Sequence, residues 1–598
     1  MTSLSASAPA AQAEVSPPTQ PPSLGEAMER LGDTFDRVLR GAAARLTAGV
    51  SPKAIALAFA DWWLHLAASP GRQAMLSVKA ATKLAKLAAY AGRCTLTPST
   101  EPSILPLPGD SRFSHPGWSV PPFSLYAQAF LLAQQWWHVA TRGVRGVSKH
   151  HEEVVTFVVR QMLDVVSPSN GLLSNPELLE RTLREGGRNL WRGLTHAAED
   201  AARELAGLAP VGAEAYRVGQ TVACTPGQVV WRNRLIELIQ YAPTTEHVRA
   251  EPVLIVPAWI MKYYILDLSP HNSLIRYLVD QGFTVFAISW KNPGAEDRDL
   301  GMEDYRRLGI MAALDAIAKI CGTVRIHALG YCLGGTLLAI TAAAMGRDGD
   351  DRLATLTLLA AQTDFSEPGE LALFIDESEV AWLEDLMQLR GTLDSRQMAG
   401  AFRMLRSADL IWSRMVREYL LGERSPMTDL MAWNADATRM PARMHSEYLR
   451  HLFLNNDFAA GRWIVDDRPV SPNDIRPPLF VVGTETDHVS PWRSVFAIHH
   501  LTEGEVTFVL TNGGHNAGIV SPPDHPRRRY RIRTHCPGDV HLDPEAWLAV
   551  TELRQGSWWG AWFAWLAAHN GGQVPPRVPG EAGLPALCPA PGTYVLMR

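Results

Sequence analysis

The tightest constraint on this chain is a short run in its second half. A strand-like stretch, VRIHAL (Val324 to Leu329), passes directly into Gly330-Tyr331-Cys332-Leu333-Gly334-Gly335 and then into helix-like TLLAITAAAMG. Strand, G-x-nucleophile-x-G and helix in that order form a turn so sharp that side chains at the two outer positions would strike the helix and the neighbouring strand. Glycine at 330 and 334 lets the turn close. The central residue is then held above the sheet at a helix N-terminus, where the dipole favours a thiolate. Cys332 is therefore the candidate nucleophile. A chance G-x-C-x-G would lack these strand and helix flanks.

The surroundings of that turn have the same texture. VLIV (Val253 to Val256), TVFAIS (Thr284 to Ser289), ATLTLLA (Ala354 to Ala360), PLFVVG (Pro478 to Gly483) and VTFVLT (Val506 to Thr511) are near-continuous apolar runs, most of them separated by helix-like segments. Fully apolar strands with intervening helices imply a parallel sheet covered on both faces. Together with the elbow this predicts an α/β-hydrolase fold, whose chain order is nucleophile, acid, histidine. The loop after PLFVVG carries Asp487, and the loop after VTFVLT carries His515 between glycines. Asp487 is the candidate acid and His515 the candidate base, with Glu485 and Asp364 as rival acids. His488, beside Asp487, reads as a support of the site or a contact for substrate. The oxyanion hole takes the backbone N–H of Leu333 and a second donor from the loop Pro257 to Ile265. Lys262 in that loop reads either as a phosphate contact or as an ordinary loop charge.

A chain of 598 residues exceeds one ordinary core. Residues 1–24, rich in Pro, Ser and Ala, read as a disordered tail. Residues 25–217 read as a helical region in which Leu31, Phe35, Val38 and Leu39 recur at helical spacing. Residues 218–570 read as the catalytic domain, with a mostly helical cap inserted at about 365–477, and 571–598 as a C-terminal tail. Nothing in the helical half resembles a catalytic set, so docking or regulation is expected of it. Its tryptophans Trp62, Trp63, Trp136 and Trp137, like Trp558 and Trp559, suit either core filling or contact with an apolar surface that is not protein. A net charge of −5 gives no basic excess for nucleic acid. The six cysteines form no CxxC pair, against a structural zinc site or a dense disulfide framework. The N-terminus lacks the pattern of a secretory signal, and no apolar run reaches the ~18 residues of a membrane span.

With these residues in place, the chain resembles the polyhydroxyalkanoate synthases. GYCLGG is similar to their lipase-like box, and the likeness extends through KYYILDLSPHNSLIRYLVDQGFTVFAISWKNP, DLMAWNADATRMP, GTETDHVSPW, GGHNAG, GSWWGAWFAWL and PAPGTYV. The resemblance implies an acyltransferase that polymerises (R)-3-hydroxyacyl-CoA through a covalent Cys332 thioester, releasing CoA and needing no cofactor or metal. It implies His515 as the base, Asp487 as an acid that helps activate the incoming 3-hydroxyl, and the N–H groups of Leu333 and Ile265 as the oxyanion hole. Tyr331 and His488 become substrate-binding candidates. The single-chain layout with a bulky residue after Gly330 resembles class I enzymes, which implies a homodimer working in the cytoplasm at the surface of polyester granules, with granule-associated proteins as further partners. The pattern departs from the family at Ala258, Met261 and Asn516, and at Gly560-Ala561 in the Trp-rich motif.

Cysteine suits such chemistry. Thioester exchange onto a thiol is nearly isoenergetic, so the acyl group stays activated, and attack by a hydroxyl then runs downhill to an oxoester. A cap that excludes water favours polymerisation over hydrolysis. The competing expectations are a cysteine thioesterase or hydrolase of the same fold, and a non-catalytic granule-associated protein.

Overall fold

The computed structural model describes residues 24–47, 49–96, 101–322, 325–394, 397, 411–581 and 583–598. The expected tail at 1–24 falls outside these residues, apart from Leu24 where the first helix begins.

Six apolar strands build the centre of one eleven-stranded sheet. In chain order its strands are β1 (Gly227–Arg232), β2 (Ile236–Tyr241), β3 (Val253–Val256), β4 (Val285–Trp290), β5 (Ile326–Tyr331), β6 (Leu353–Leu359), β7 (Leu479–Thr484), β8 (Val506–Thr511), β9 (Arg529–His535), β10 (Leu553–Gln555) and β11 (Cys588–Pro589). They lie in the order β10-β9-β8-β7-β6-β5-β3-β4-β2-β1-β11. The central six pair in parallel. Every residue of those six is buried, which is why they read as unbroken apolar runs. The two flanks are antiparallel, and the sequence did not reveal them. RYRIRTH in β9 is mostly charged because one face meets solvent, and β2 buries Glu237 and Gln240 where an apolar pattern would be expected.

Glu237 also corrects the reading of 571–598 as a tail. Its buried carboxylate accepts the N–H groups of Thr593 and Tyr594, both at 2.9 Å, and the Thr593 hydroxyl at 2.7 Å. A buried carboxylate needs such donors. The C-terminal segment supplies them and adds β11 to the sheet edge.

The N-terminal region is helical: α1 (Leu24–Leu46), α2 (Pro52–Ala67), α3 (Pro70–Leu96), α4 (Phe123–Thr141), α5 (Lys149–Val165), α6 (Pro176–Glu185) and α7 (Arg188–Leu205). Asn175 caps α6 as its sequence predicts, accepting the Glu177 and Leu178 N–H groups, with Pro176 opening the helix. Between β6 and β7 lies the inserted segment. Among the described residues its longest helix is Glu377–Arg390, and two short antiparallel ribbons, Thr392–Leu393 with Met440–Pro441 and Trp463–Val465 with Arg468–Val470, interrupt its helical texture.

The tryptophans divide. Trp558 and Trp559 are core residues. Trp62 and Trp136 are half-buried, their indole N–H groups donating to Ala140 and Leu76 carbonyls at 3.1 and 3.0 Å. Trp63, at 60% exposure, keeps an open face, the second of the two readings offered for these residues.

Candidate active site

β5 ends at Tyr331, and α8 (Leu333–Asp348) begins after a single intervening residue. Cys332 occupies the junction with φ +52° and ψ −125°, a backbone region that L-residues rarely visit. The turn is locked on both sides. The Cys332 N–H donates to the Leu359 carbonyl of β6, and the Cys332 carbonyl accepts the Gly335 and Thr336 N–H groups. The glycines are required by space. A Cβ on Gly330 would lie 2.4 Å from the Gly335 Cα, and one on Gly334 would lie 2.3 Å from the Val256 carbonyl oxygen.

The two loops expected to face this turn do so. His515 Nδ1 lies 2.8 Å from Asp487 Oδ2. Asp487 Oδ2 also accepts the Thr484 hydroxyl at 3.2 Å, while Oδ1 accepts the Val489 and Ser490 N–H groups at 2.8 and 2.9 Å. Burial alone would raise this carboxyl. The charge and hydrogen bond of His515, with the two backbone donors, outweigh burial and hold it below the usual carboxylate range. For His515 burial opposes the charged ring, but Asp487 and Cys332 overcome it, and the imidazole stays protonated well above its ordinary range. Cysteine, histidine and carboxylate thus form one connected set.

Neither rival acid joins it. Glu485 points to Arg529 at 3.3 Å, and Asp364 accepts the Asn456 amide at 2.9 Å and the Ser366 N–H at 2.8 Å. Tyr331 is buried behind the site. Its ring packs 5.6 Å from the His515 ring and its hydroxyl donates to Asn516 Oδ1 at 2.5 Å. This accounts for the polar residue at 516 and makes Tyr331 a support for the histidine loop. His488 is half-buried, its carbonyl accepts the Glu370 N–H of the inserted segment, and the next two residues, Val489 and Ser490, reach the cavity.

That cavity has a volume of about 140 Å³ and opens on Cys332, Leu333 and Ile260. Leu333, the residue after the elbow cysteine, lines it beside Cys332. In the loop after β3 it is Ile260 that lines the cavity; Ile265 is packed into the turn Tyr263–Leu266 and is 1% exposed. Lys262 fits neither reading offered for it. It is buried, burial lowers its pKa, and its Nζ donates to the Met597 carbonyl at 2.6 Å, tying the C-terminus to this loop. Trp433 in turn donates to the Lys262 carbonyl at 2.7 Å. Most remaining cavity residues are apolar and come from the inserted segment, among them Phe365, Leu393, Met440 and Tyr448. Burial lowers His445 to about 4, and burial raises Glu379 to about 8, so this lining carries little charge at neutral pH.

Two features escaped the sequence reading. Trp558 and Trp559 donate to the Gly518 and Ile519 carbonyls at 3.1 and 3.0 Å, clamping the end of the His515 loop from about forty residues away in the chain. Gly49 and Val50, between α1 and α2, line the same cavity as Cys332, so the N-terminal helices help to shape the site. Long-range packing of this kind leaves no local spacing to read. Among the described residues, no group of three or more His, Cys, Asp or Glu is placed to hold a metal ion.

The sheet order, the elbow and the Cys–His–Asp arrangement define an enzyme of the α/β-hydrolase fold with cysteine at the nucleophile position. Residues 251–522 match the family model described as alpha/beta hydrolase fold. Residues 109–278 match "Poly-beta-hydroxybutyrate polymerase (PhaC) N-terminus", and 31–72 match "Poly-beta-hydroxybutyrate polymerase N terminal". The chain is 44% identical over 531 residues to a poly(3-hydroxyalkanoate) polymerase of Methylorubrum extorquens, covering 87% of each protein. It is 40% identical to a poly(3-hydroxyalkanoate) polymerase subunit of Rhizobium etli, over 82% of this chain and 77% of the relative. For the Cupriavidus necator protein the identity is 35%, over 81% and 83%. The chain belongs to the poly(3-hydroxyalkanoate) polymerase family.

Proposed function

We propose that this polymerase extends polyester from (R)-3-hydroxyacyl-CoA through a thioester on Cys332. The observation that carries the reading is the connected set of Cys332 at a strained elbow, His515 against it, and Asp487 at 2.8 Å behind His515. The Cys332 thiolate attacks the thioester carbonyl, the bond to the CoA sulfur breaks, and CoA leaves with a proton from His515. The 3-hydroxyl of the next monomer then attacks the Cys332 thioester. Its proton passes to His515, the C–S bond to Cys332 breaks, and an oxoester forms. Leu333 and the Ile260 segment flank the place where the oxyanion develops. Asp487 has no exposed side-chain surface and four hydrogen bonds on its two oxygens, which supports a role exerted through His515 instead of direct contact with the incoming hydroxyl.

The apolar cavity under the inserted segment supports transfer to an alcohol over transfer to water. We extend the reading to a homodimer at the granule surface in the cytoplasm. Phe35, Trp63 and Trp191, 60 to 68% exposed on the N-terminal helices, suit an apolar polyester surface. No described helix is long and apolar enough to cross a membrane. The test is product analysis after incubation with (R)-3-hydroxybutyryl-CoA. Polymer with stoichiometric CoA release is expected; free 3-hydroxybutyrate as the main product would make the protein a thioesterase.

A further inference from the structure

The cavity has a wall that the catalytic fold does not provide. Glycine 49 and Val50 line it together with Glu379 and Leu383 of α9 (Glu377–Arg390), the main helix of the inserted segment. The junction is fixed there by several independent contacts. The Ser51 N–H donates to Glu379 Oε2 at 2.6 Å, and Arg40 pairs with Asp385 at 2.8 Å. Ala44 packs with Trp382 and Leu386 in a small buried cluster. Gly49 has φ +89°, and a Cβ there would already touch the Leu383 side chain at 3.4 Å. The junction is thus pressed onto α9 and turned so that Val50 meets the cavity.

We infer that the α1–α2 junction is a specificity element, with Val50 limiting the length of the monomer side chain that Cys332 can accept. This rests on the proposed acyl transfer at Cys332 and adds the wall that would set the upper limit on side-chain length there. The cavity volume of about 140 Å³ is small beside the ~300–1,000 Å³ typical of ligand sites, and its lining offers a hydrocarbon chain van der Waals contact but few polar partners. In such a site a bulky side chain at the wall excludes methylenes by volume, and each methylene changes discrimination by roughly tenfold or more. A valine placed there by an N-terminal segment sets a length limit independently of the catalytic residues.

The experiment uses the full chain and compares kcat/KM for (R)-3-hydroxyhexanoyl-CoA with that for (R)-3-hydroxybutyryl-CoA. Val50→Phe should lower the six-carbon to four-carbon ratio by about tenfold or more, and Val50→Ala should raise it several-fold. Leu31→Ser, on the exposed face of α1, should leave the ratio unchanged. If Val50→Phe fails to fold, Val50→Ala decides alone. A ratio within twofold of the parent in the folded variants overturns the inference. Loss of the underlying reading would look different: the Cys332→Ala protein would itself turn over both substrates.

Discussion

At the scale of single residues, the chemistry rests on a charge relation that geometry enforces. Asp487 is held below its usual range and His515 well above it, because each stabilises the other's charged form at a buried position. The consequences for stability have opposite signs. The raised His515 contributes below its unfolded value near 6.5 and loses that contribution as pH rises through the folded value. The lowered Asp487 contributes above its unfolded value near 3.9 and loses it as pH falls through the folded value. Both contributions are therefore complete between about pH 4 and 6.5. Asp487→Asn removes the counter-charge, so the His515 ring titration, followed by NMR, should fall by about 1–3 pH units. An unchanged midpoint would mean that Asp487 does not set the protonation of His515. The three residues were legible in the sequence because each lies within a few residues of the end of an apolar strand. For the second oxyanion donor the resemblance pointed to the Ile265 N–H; the Ile265 side chain is buried in the turn Tyr263–Leu266, and Ile260 of the same loop lines the cavity.

At the scale of elements, the six parallel strands were legible because burial on both faces leaves mostly apolar residues with a few small buried polar ones such as Thr355 and Thr507. The antiparallel flanks were not, because their partners are distant and their outward faces are charged or polar, as in RYRIRTH. The same distance hid the clamp on the histidine loop. Trp558, at the start of the helix Trp559–Ala568, is fully buried and donates to the Gly518 carbonyl. Trp558→Phe leaves that carbonyl without its donor, which should cost about 1–3 kcal/mol in a denaturant titration. It should also lower kcat more than it raises KM, since His515 loses its fixed position while the cavity keeps its lining. A variant with unaltered unfolding midpoint and unaltered kcat would show that the clamp holds nothing.

At the scale of the whole molecule, the C-terminal segment and the α1–α2 junction converge on the catalytic unit. The C-terminal residues satisfy Glu237 and Lys262, and the α1–α2 junction meets α9 over the cavity. Sequence patterning assigned both to roles outside the core, because a hydrogen bond between Ser51 and Glu379, 328 residues apart, has no periodicity to betray it. All of this structure serves one proposed event, the transfer of an acyl group onto Cys332. The most direct measurement is mass spectrometry of the full-length protein quenched shortly after mixing with (R)-3-hydroxybutyryl-CoA, with the adduct mapped by proteolysis. A thioester-linked hydroxybutyryl unit is predicted on the peptide that carries Cys332, with no adduct and no polymer from Cys332→Ala. Polymer made by Cys332→Ala at a rate comparable to the parent would contradict the account.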